Sequence, residues 1–201
     1  MHQPHFINFE GIDKCGKDTQ ADLLYEKMIE LGRSVEFSSE PTKDSEAGQR
    51  IWRILQHQEA APVPQEMQFL YITDRAEHVS NLIAPTLSSG KSLIEVRYLF
   101  STLAYGVAFG VDYQLLKQLQ INFPIPDITF FIKISASEAI RRLTLESGEA
   151  HYFEKEEKLS KIAAAYDQIL FDWPNIVVIN GEQSREKVWS DIWEIASKKI
   201  V

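Results

Sequence analysis

The chain has 201 residues, 44% of them hydrophobic, enough to bury one substantial core without disulfides or a structural metal. With 29 acidic against 21 basic residues its net charge is −8, which argues against an extended footprint on a nucleic-acid backbone, so no nucleic-acid partner is expected. A single cysteine, Cys15, excludes an intrachain disulfide and a multi-cysteine zinc site.

Taken in chain order, His5 to Glu10 reads as a short buried strand, because Phe6, Ile7 and Phe9 run straight into a turn at Gly11. A helix follows from Thr19 to Leu31, where Ala21, Leu24, Met28 and Leu31 recur at helical spacing and Gly32 marks the stop. The alternation then repeats. A strand is expected at Ser34 to Ser38, helices at Ala47 to Gln56 and Glu66 to Ile83, and a strand at Ser92 to Val96. One helical stretch is expected from Ser101 to Leu119, then a strand at Ile128 to Ile134, helices at Ser137 to Leu145 and Glu154 to Phe171, a strand at Ile176 to Ile179, and a final helix from Arg185. Strands alternating with helices predict an α/β fold: a doubly wound, mostly parallel sheet of about five strands, with ligands at the carboxyl ends of the strands.

The chain shows no internal repeat, low-complexity tract or long linker, so residues 1–201 read as one domain. A short polar run at about 145–153 reads as a small lid or an ordinary connection between helices. No basic segment followed by an apolar run opens the chain, and no stretch reaches the length of a membrane span; a soluble, cytoplasmic protein with no membrane partner is expected.

Between the first strand and the first helix lies Gly11-Ile12-Asp13-Lys14-Cys15-Gly16-Lys17-Asp18-Thr19, which matches the G-x-x-x-x-G-K phosphate loop. Its glycines let backbone N–H groups approach phosphate oxygens, the helix N-terminus adds positive potential, and Lys17 offers a mobile cation to the terminal phosphates. ATP is the donor nucleotide this pattern implies. Asp18 stands where a Ser or Thr hydroxyl would normally meet Mg²⁺; a carboxylate is also a hard oxygen ligand and becomes the candidate metal ligand.

Further motifs give the chain a family resemblance. Phe9-Glu10-Gly11-Ile12-Asp13, the loop ending Gly16-Lys17-Asp18-Thr19-Gln20, Asp74-Arg75-Ala76-Glu77-His78, Arg97-Tyr98, Ser101 and Ala104-Tyr105 occur in the order found in thymidylate kinases, and the similarity runs through nearly the whole chain. The resemblance implies a P-loop kinase that phosphorylates dTMP to dTDP with ATP and Mg²⁺, and a homodimer. It also implies that Arg75 and Arg97 hold the monophosphate, Tyr71 stacks on the base, Asp13 lies near the sugar, and Tyr98, Ser101 and Tyr105 line the nucleoside pocket. Glu154 matches a lid carboxylate. Guanidinium forks suit phosphate and an aromatic face suits a base, so the chemistry agrees with those roles. Phosphoryl transfer needs positive charge over the moving group. The family that the chain resembles supplies that charge from a basic residue in the loop or from arginines in the lid; Leu143 to Glu154 contains no arginine, so the resemblance adds Lys14 to Lys17 and Arg97 as a candidate catalytic cation.

Departures from the pattern leave alternatives open. Val96-Arg97-Tyr98 lacks the aspartate expected at the strand end, Ser39 precedes Glu40-Pro41 where many members carry arginine, and Lys43 is the alternative source of that charge. A kinase for another deoxynucleoside monophosphate, or a nucleotide binder with weakened catalysis, fits the same residues. Trp52, Trp189 and Trp193 read as packing residues, and His57, His78 and His151 as surface or capping groups, since they lack the spacing of a metal site.

Overall fold

The computed structural model describes residues 3–147 and 153–200. Five strands, β1 (Phe6–Glu10), β2 (Val35–Ser39), β3 (Ser92–Val96), β4 (Ile128–Lys133) and β5 (Ile176–Asn180), form one parallel sheet in the order β2-β3-β1-β4-β5. All five residues of β1 and of β3 are buried, as strands covered on both faces require. The doubly wound, mostly parallel α/β sheet expected from the alternating pattern is present, and each of its strand pairings is parallel.

The chain leaves β1 toward β2 in one direction and leaves β3 toward β4 in the other. Right-handed crossovers then place α1 (Lys17–Glu30) on one face and α5 (Leu99–Ala108) on the other. The adjacent carboxyl ends of β1 and β3 thus form the switch point where ligands of such sheets bind. Register makes this concrete: Phe9 lies opposite Val96, so the loop after β1 emerges beside Arg97.

The remaining helices are α2 (Glu46–Leu55), α3 (Pro64–His78), α4 (Ala84–Ser88), α6 (Tyr113–Leu119), α7 (Ala136–Ser147), α8 (Phe153–Ile169) and α9 (Arg185–Lys199). Two expected helices come out differently. The stretch Ser101 to Leu119 is split into α5 and α6, because Gly110 turns at φ 85° and the Asp112 side chain caps Leu115 N–H at 2.7 Å. The helix expected to end at Ile83 continues through a π-helical segment, Val79–Ile83, into α4. Pro85 has no N–H to give the regular ladder, and the wider spacing just before it accommodates that loss.

The expected lid falls mostly outside the described residues; of it, α7 ends at Ser147 and α8 begins at Phe153. His151 lies outside the described residues, and Glu154 belongs to α8 without a described side chain.

Candidate active site

The phosphate loop is shaped by close packing under its first glycine. Gly11 has φ 145°, and a Cβ there would lie 2.6 Å from the Ile132 carbonyl oxygen and 2.7 Å from Cys15 Sγ. Gly16, at φ 94°, is the N-cap of α1, and no side chain caps that helix end. Its first N–H groups are therefore available to an anion. Lys17 is buried with its ammonium 3.6 Å from Asp18 Oδ2, while Asp18 itself is exposed. Cys15 is buried, and burial pushes its thiol up from the ordinary range. Ile12 is core, and Thr19 is half-buried on the first turn of α1. Lys14 stands exposed on the crown of the loop at φ 64°, outside the lining of the neighbouring cavity.

That cavity, about 300 Å³, opens between the loop and the ends of β2 and β3. Eight of the expected site residues, Asp13, Asp18, Tyr71, Arg75, Arg97, Tyr98, Ser101 and Tyr105, line it. Val96, which stands where an aspartate was expected, is part of the same wall. The carboxylate absent from the strand end and the additional one at Asp18 thus face one space. Ser39 also lines it, but Lys43 sits 5.5 Å from the centre of the Trp52 ring and is not among the lining residues.

The two arginines differ in how they are held. Arg97, at φ 62°, donates to Asp13 Oδ1 and, at 3.2 Å, to Ser101 Oγ, with its guanidinium over the Tyr105 ring. Burial works against its charge, but Tyr105, Asp13, Tyr166 and Glu10 more than offset that. Arg75 lies deeper. Its Nε and Nη2 donate to Glu40 Oε2 at 2.9 and 2.5 Å, Nη2 to Thr102 Oγ1 at 3.1 Å and Nη1 to Gln120, and it stacks over Tyr98. Its side chain is 1% exposed against 19% for Arg97, so Arg97 is the more accessible cation. Burial pushes the Tyr71 phenol up to about 12 and raises Tyr98 and Tyr105 further, so these rings stay neutral against the ligand space.

Several supporting residues escaped the sequence reading. Glu10 accepts from Tyr98 N–H at 2.8 Å, Ser101 N–H at 3.1 Å, Ser101 Oγ at 2.7 Å and Tyr166 Oη at 2.8 Å, capping α5 from the neighbouring strand. Asp74 accepts from Thr42 N–H at 2.8 Å and Ser45 Oγ at 2.5 Å, fastening the turn after β2 to α3. Arg142 of α7 donates to the carbonyls of Lys14, Cys15 and Gly181 at 3.1, 3.3 and 2.6 Å. The run from Leu143 to Glu154 holds no arginine, but Arg142 at its approach reaches the loop. Two readings are corrected: Trp52 is a cavity wall whose indole N–H donates to the Pro41 carbonyl, and His78 is buried beside Glu40 rather than a surface group. Trp189 and Trp193 do pack, stacked on each other, and His57 is exposed.

A sequence model of the family described as "Thymidylate kinase" matches residues 9–192. The chain belongs to the thymidylate kinase family. Among relatives of this family, a protein of Pyrococcus horikoshii named "Probable thymidylate kinase" is 34% identical over 201 residues, covering 98% of each chain. A "Thymidylate kinase" of Desulfotalea psychrophila is 36% identical over 187 residues, covering 92% of this chain and 91% of its own. A third, from Leptospira interrogans, is 33% identical over 195 residues. The loop, the cavity and the arginine at the end of β3 are the parts of this family member that face one another.

Asp18 suits a magnesium ion. It is an exposed hard-oxygen donor at the N-terminus of α1, beside where the loop would hold phosphates, and Mg²⁺ commonly takes one or two carboxylates together with phosphate oxygens and waters. Glu10 is committed to α5 and Tyr166, and neither it nor Glu95 lines the cavity, so Asp18 has no competitor there from β1 or β3. Among the described residues no helix is long and apolar enough to cross a membrane.

Proposed function

We propose that the protein transfers the γ-phosphoryl group of ATP to dTMP, giving dTDP. The observation that carries this is the single cavity in which Arg97, Arg75 and Tyr71 face the phosphate loop across Asp13 and Asp18. In this reading the uncapped start of α1 and Lys17 hold the donor phosphates, and Lys14 adds charge from the crown of the loop. Arg97 takes the acceptor monophosphate, Arg75 supplies a fixed cation from the cavity floor, and Tyr71 stacks on the base. Ser101, Tyr98 and Tyr105 shape the nucleoside pocket, Asp13 reaches the sugar, and Glu154 serves as the carboxylate of a lid at about 145–153. Held in line, an acceptor oxygen attacks the γ-phosphorus while ADP leaves, and positioning with fixed charge supplies most of the rate.

Mg²⁺, held by Asp18 and the phosphates, would neutralise charge on the transferring group. One domain of 201 residues, working in the cytoplasm as a homodimer, completes the proposal; exposed Phe69, Phe109, Leu115 and Leu119 on and beside α3, α5 and α6 support the dimer. Light scattering on the purified chain tests it. The reaction is tested by coupled ADP release with a panel of nucleoside monophosphates. Fastest turnover with dTMP is expected; higher kcat/KM for another base would reassign the substrate. Because Val96 puts an uncharged side chain on the cavity wall, tight nucleotide binding without ADP release would instead identify a binder that has lost turnover.

A further inference from the structure

Behind the cavity, three side chains from three elements converge. Glu40 follows β2, His78 ends α3 and Glu95 belongs to β3, and all three are buried, Glu95 completely. One donor atom from each lies within 4.8 Å of the others. The imidazole sits between the carboxylates, with Nδ1 3.3 Å from Glu40 Oε1 and Nε2 4.0 Å from Glu95 Oε2. Of the two carboxylates, Glu40 is the one bonded to Arg75, while Glu95 accepts from Ser38.

A second observation concerns Glu95 alone. Ser38 Oγ donates to its Oε2, but Oε1, with no access to solvent, has no hydrogen-bond partner. An orphaned buried carboxylate oxygen carries a substantial desolvation cost. The site asks for a cation, and the orphan decides which kind. A proton on Oε1 would itself need an acceptor, and a proton on Oε2 would leave Oε1 without a donor; the oxygen nearest the imidazole is Oε2, and an ion held there by both oxygens of the carboxylate would also use the lone pair that Oε1 leaves unpaired.

We propose that Glu40, His78 and Glu95 form a binding site for a divalent ion of the zinc class, separate from the phosphate-loop magnesium and independent of the reaction proposed above. One imidazole and two carboxylates are an ordinary donor set for such an ion. Ligand atoms around a tetrahedral zinc stand roughly 3.4 Å apart, from bonds of about 2.0–2.2 Å, and the 3.3 Å between Glu40 and His78 already matches. Outer partners are in place: Arg75 holds the other oxygen of Glu40, and Ser38 holds Glu95. Glu40 also lines the cavity, which provides the way in. The ion would tie β2, β3 and α3 together directly beneath Arg75.

The test uses the full chain, stripped with a chelator and re-equilibrated with Zn(II) alone or Co(II) alone. Wild type is expected to retain about one zinc per chain after desalting, to unfold at a higher temperature as Zn(II) is raised, and to give visible Co(II) absorption bands. Glu95→Gln, nearly the same in shape, should lose at least tenfold in zinc affinity and the Co(II) bands; His78→Gln should do the same, with circular dichroism confirming that each variant folds. Equal zinc retention in wild type and Glu95→Gln overturns the proposal. So does an absence of retained zinc in wild type, with a protonated-carboxyl infrared band that Glu95→Gln removes, which would assign the site to a proton.

Discussion

Arg142 Nη2 donates to the carbonyl oxygen of Gly181 across 2.6 Å, while its Nη1 donates to Lys14 and Cys15 in the phosphate loop. One side chain thus joins α7, the turn after β5 and the loop. Charge-assisted hydrogen bonds contribute about 1.5–3 kcal/mol each when buried, less where solvent competes. Arg142→Met is expected to raise the KM for ATP about tenfold, corresponding to about 1.4 kcal/mol, with the KM for dTMP changed less. Steady-state kinetics with each substrate varied in turn checks this.

Glu138 orients that arginine. Hydrogen bonds from Arg141 and then Arg142 lower its carboxyl from 4.5 to about 2. A depressed folded-state value means the contact stabilises the fold above the ordinary glutamate range and is lost as pH falls from 4.5 toward about 2. The pair is close to solvent, so its contribution is on the order of 1 kcal/mol or less. Acid unfolding of Glu138→Gln should therefore be shallower than wild type within that window, and a curve parallel to wild type would contradict the assignment.

Arg97→Lys keeps a charge but loses the planar fork that bridges Asp13 and Ser101. A loss of about 100-fold in kcat/KM for dTMP is expected, within the range for removing one donor to a transition-state oxyanion. Isothermal titration with dTMP separates ground-state binding from turnover. Wild-type kinetics would remove Arg97 from the reaction.

Asp18→Asn removes the one carboxylate on the first turn of α1 while keeping its size. Half-maximal turnover should need at least about tenfold more Mg²⁺. An unchanged Mg²⁺ titration would show that the metal is held without Asp18.

Gly11→Ala places a methyl group against the Ile132 carbonyl oxygen at a backbone angle that L residues rarely adopt. Because backbone atoms cannot move aside as a side-chain tip does, a destabilisation on the order of 3 kcal/mol is expected. Denaturant unfolding measures it.

What the sequence made legible was contiguous or repetitive. The phosphate loop lies in one run from Gly11 to Thr19, and the strands announce themselves as short apolar blocks between turns. Arg75, Arg97, Tyr71 and Tyr105 were found because family motifs carry them in order, and they do line one cavity. What failed was long-range or depended on competition. Glu10 meets Tyr166 across 156 positions, and Arg142 meets Gly181 across 39; nothing local in either sequence neighbourhood indicates the other. Gly110 and Asp112 did signal a break, but apolar spacing running from Leu103 to Leu116 hid it. His78 lacks a second histidine at helical spacing, so its carboxylate neighbours, drawn from β3 and the end of β2, were invisible along the chain.

Cys15 adds a property of practical use. Its side chain is 2% exposed beneath the phosphate loop, and desolvation keeps it in the unreactive thiol form, although the Lys17 charge pulls the other way. A thiol-directed reagent can reach it only when the loop opens. As the chain's sole cysteine, it turns the rate of alkylation into a clock for that opening, which a bound nucleotide would slow.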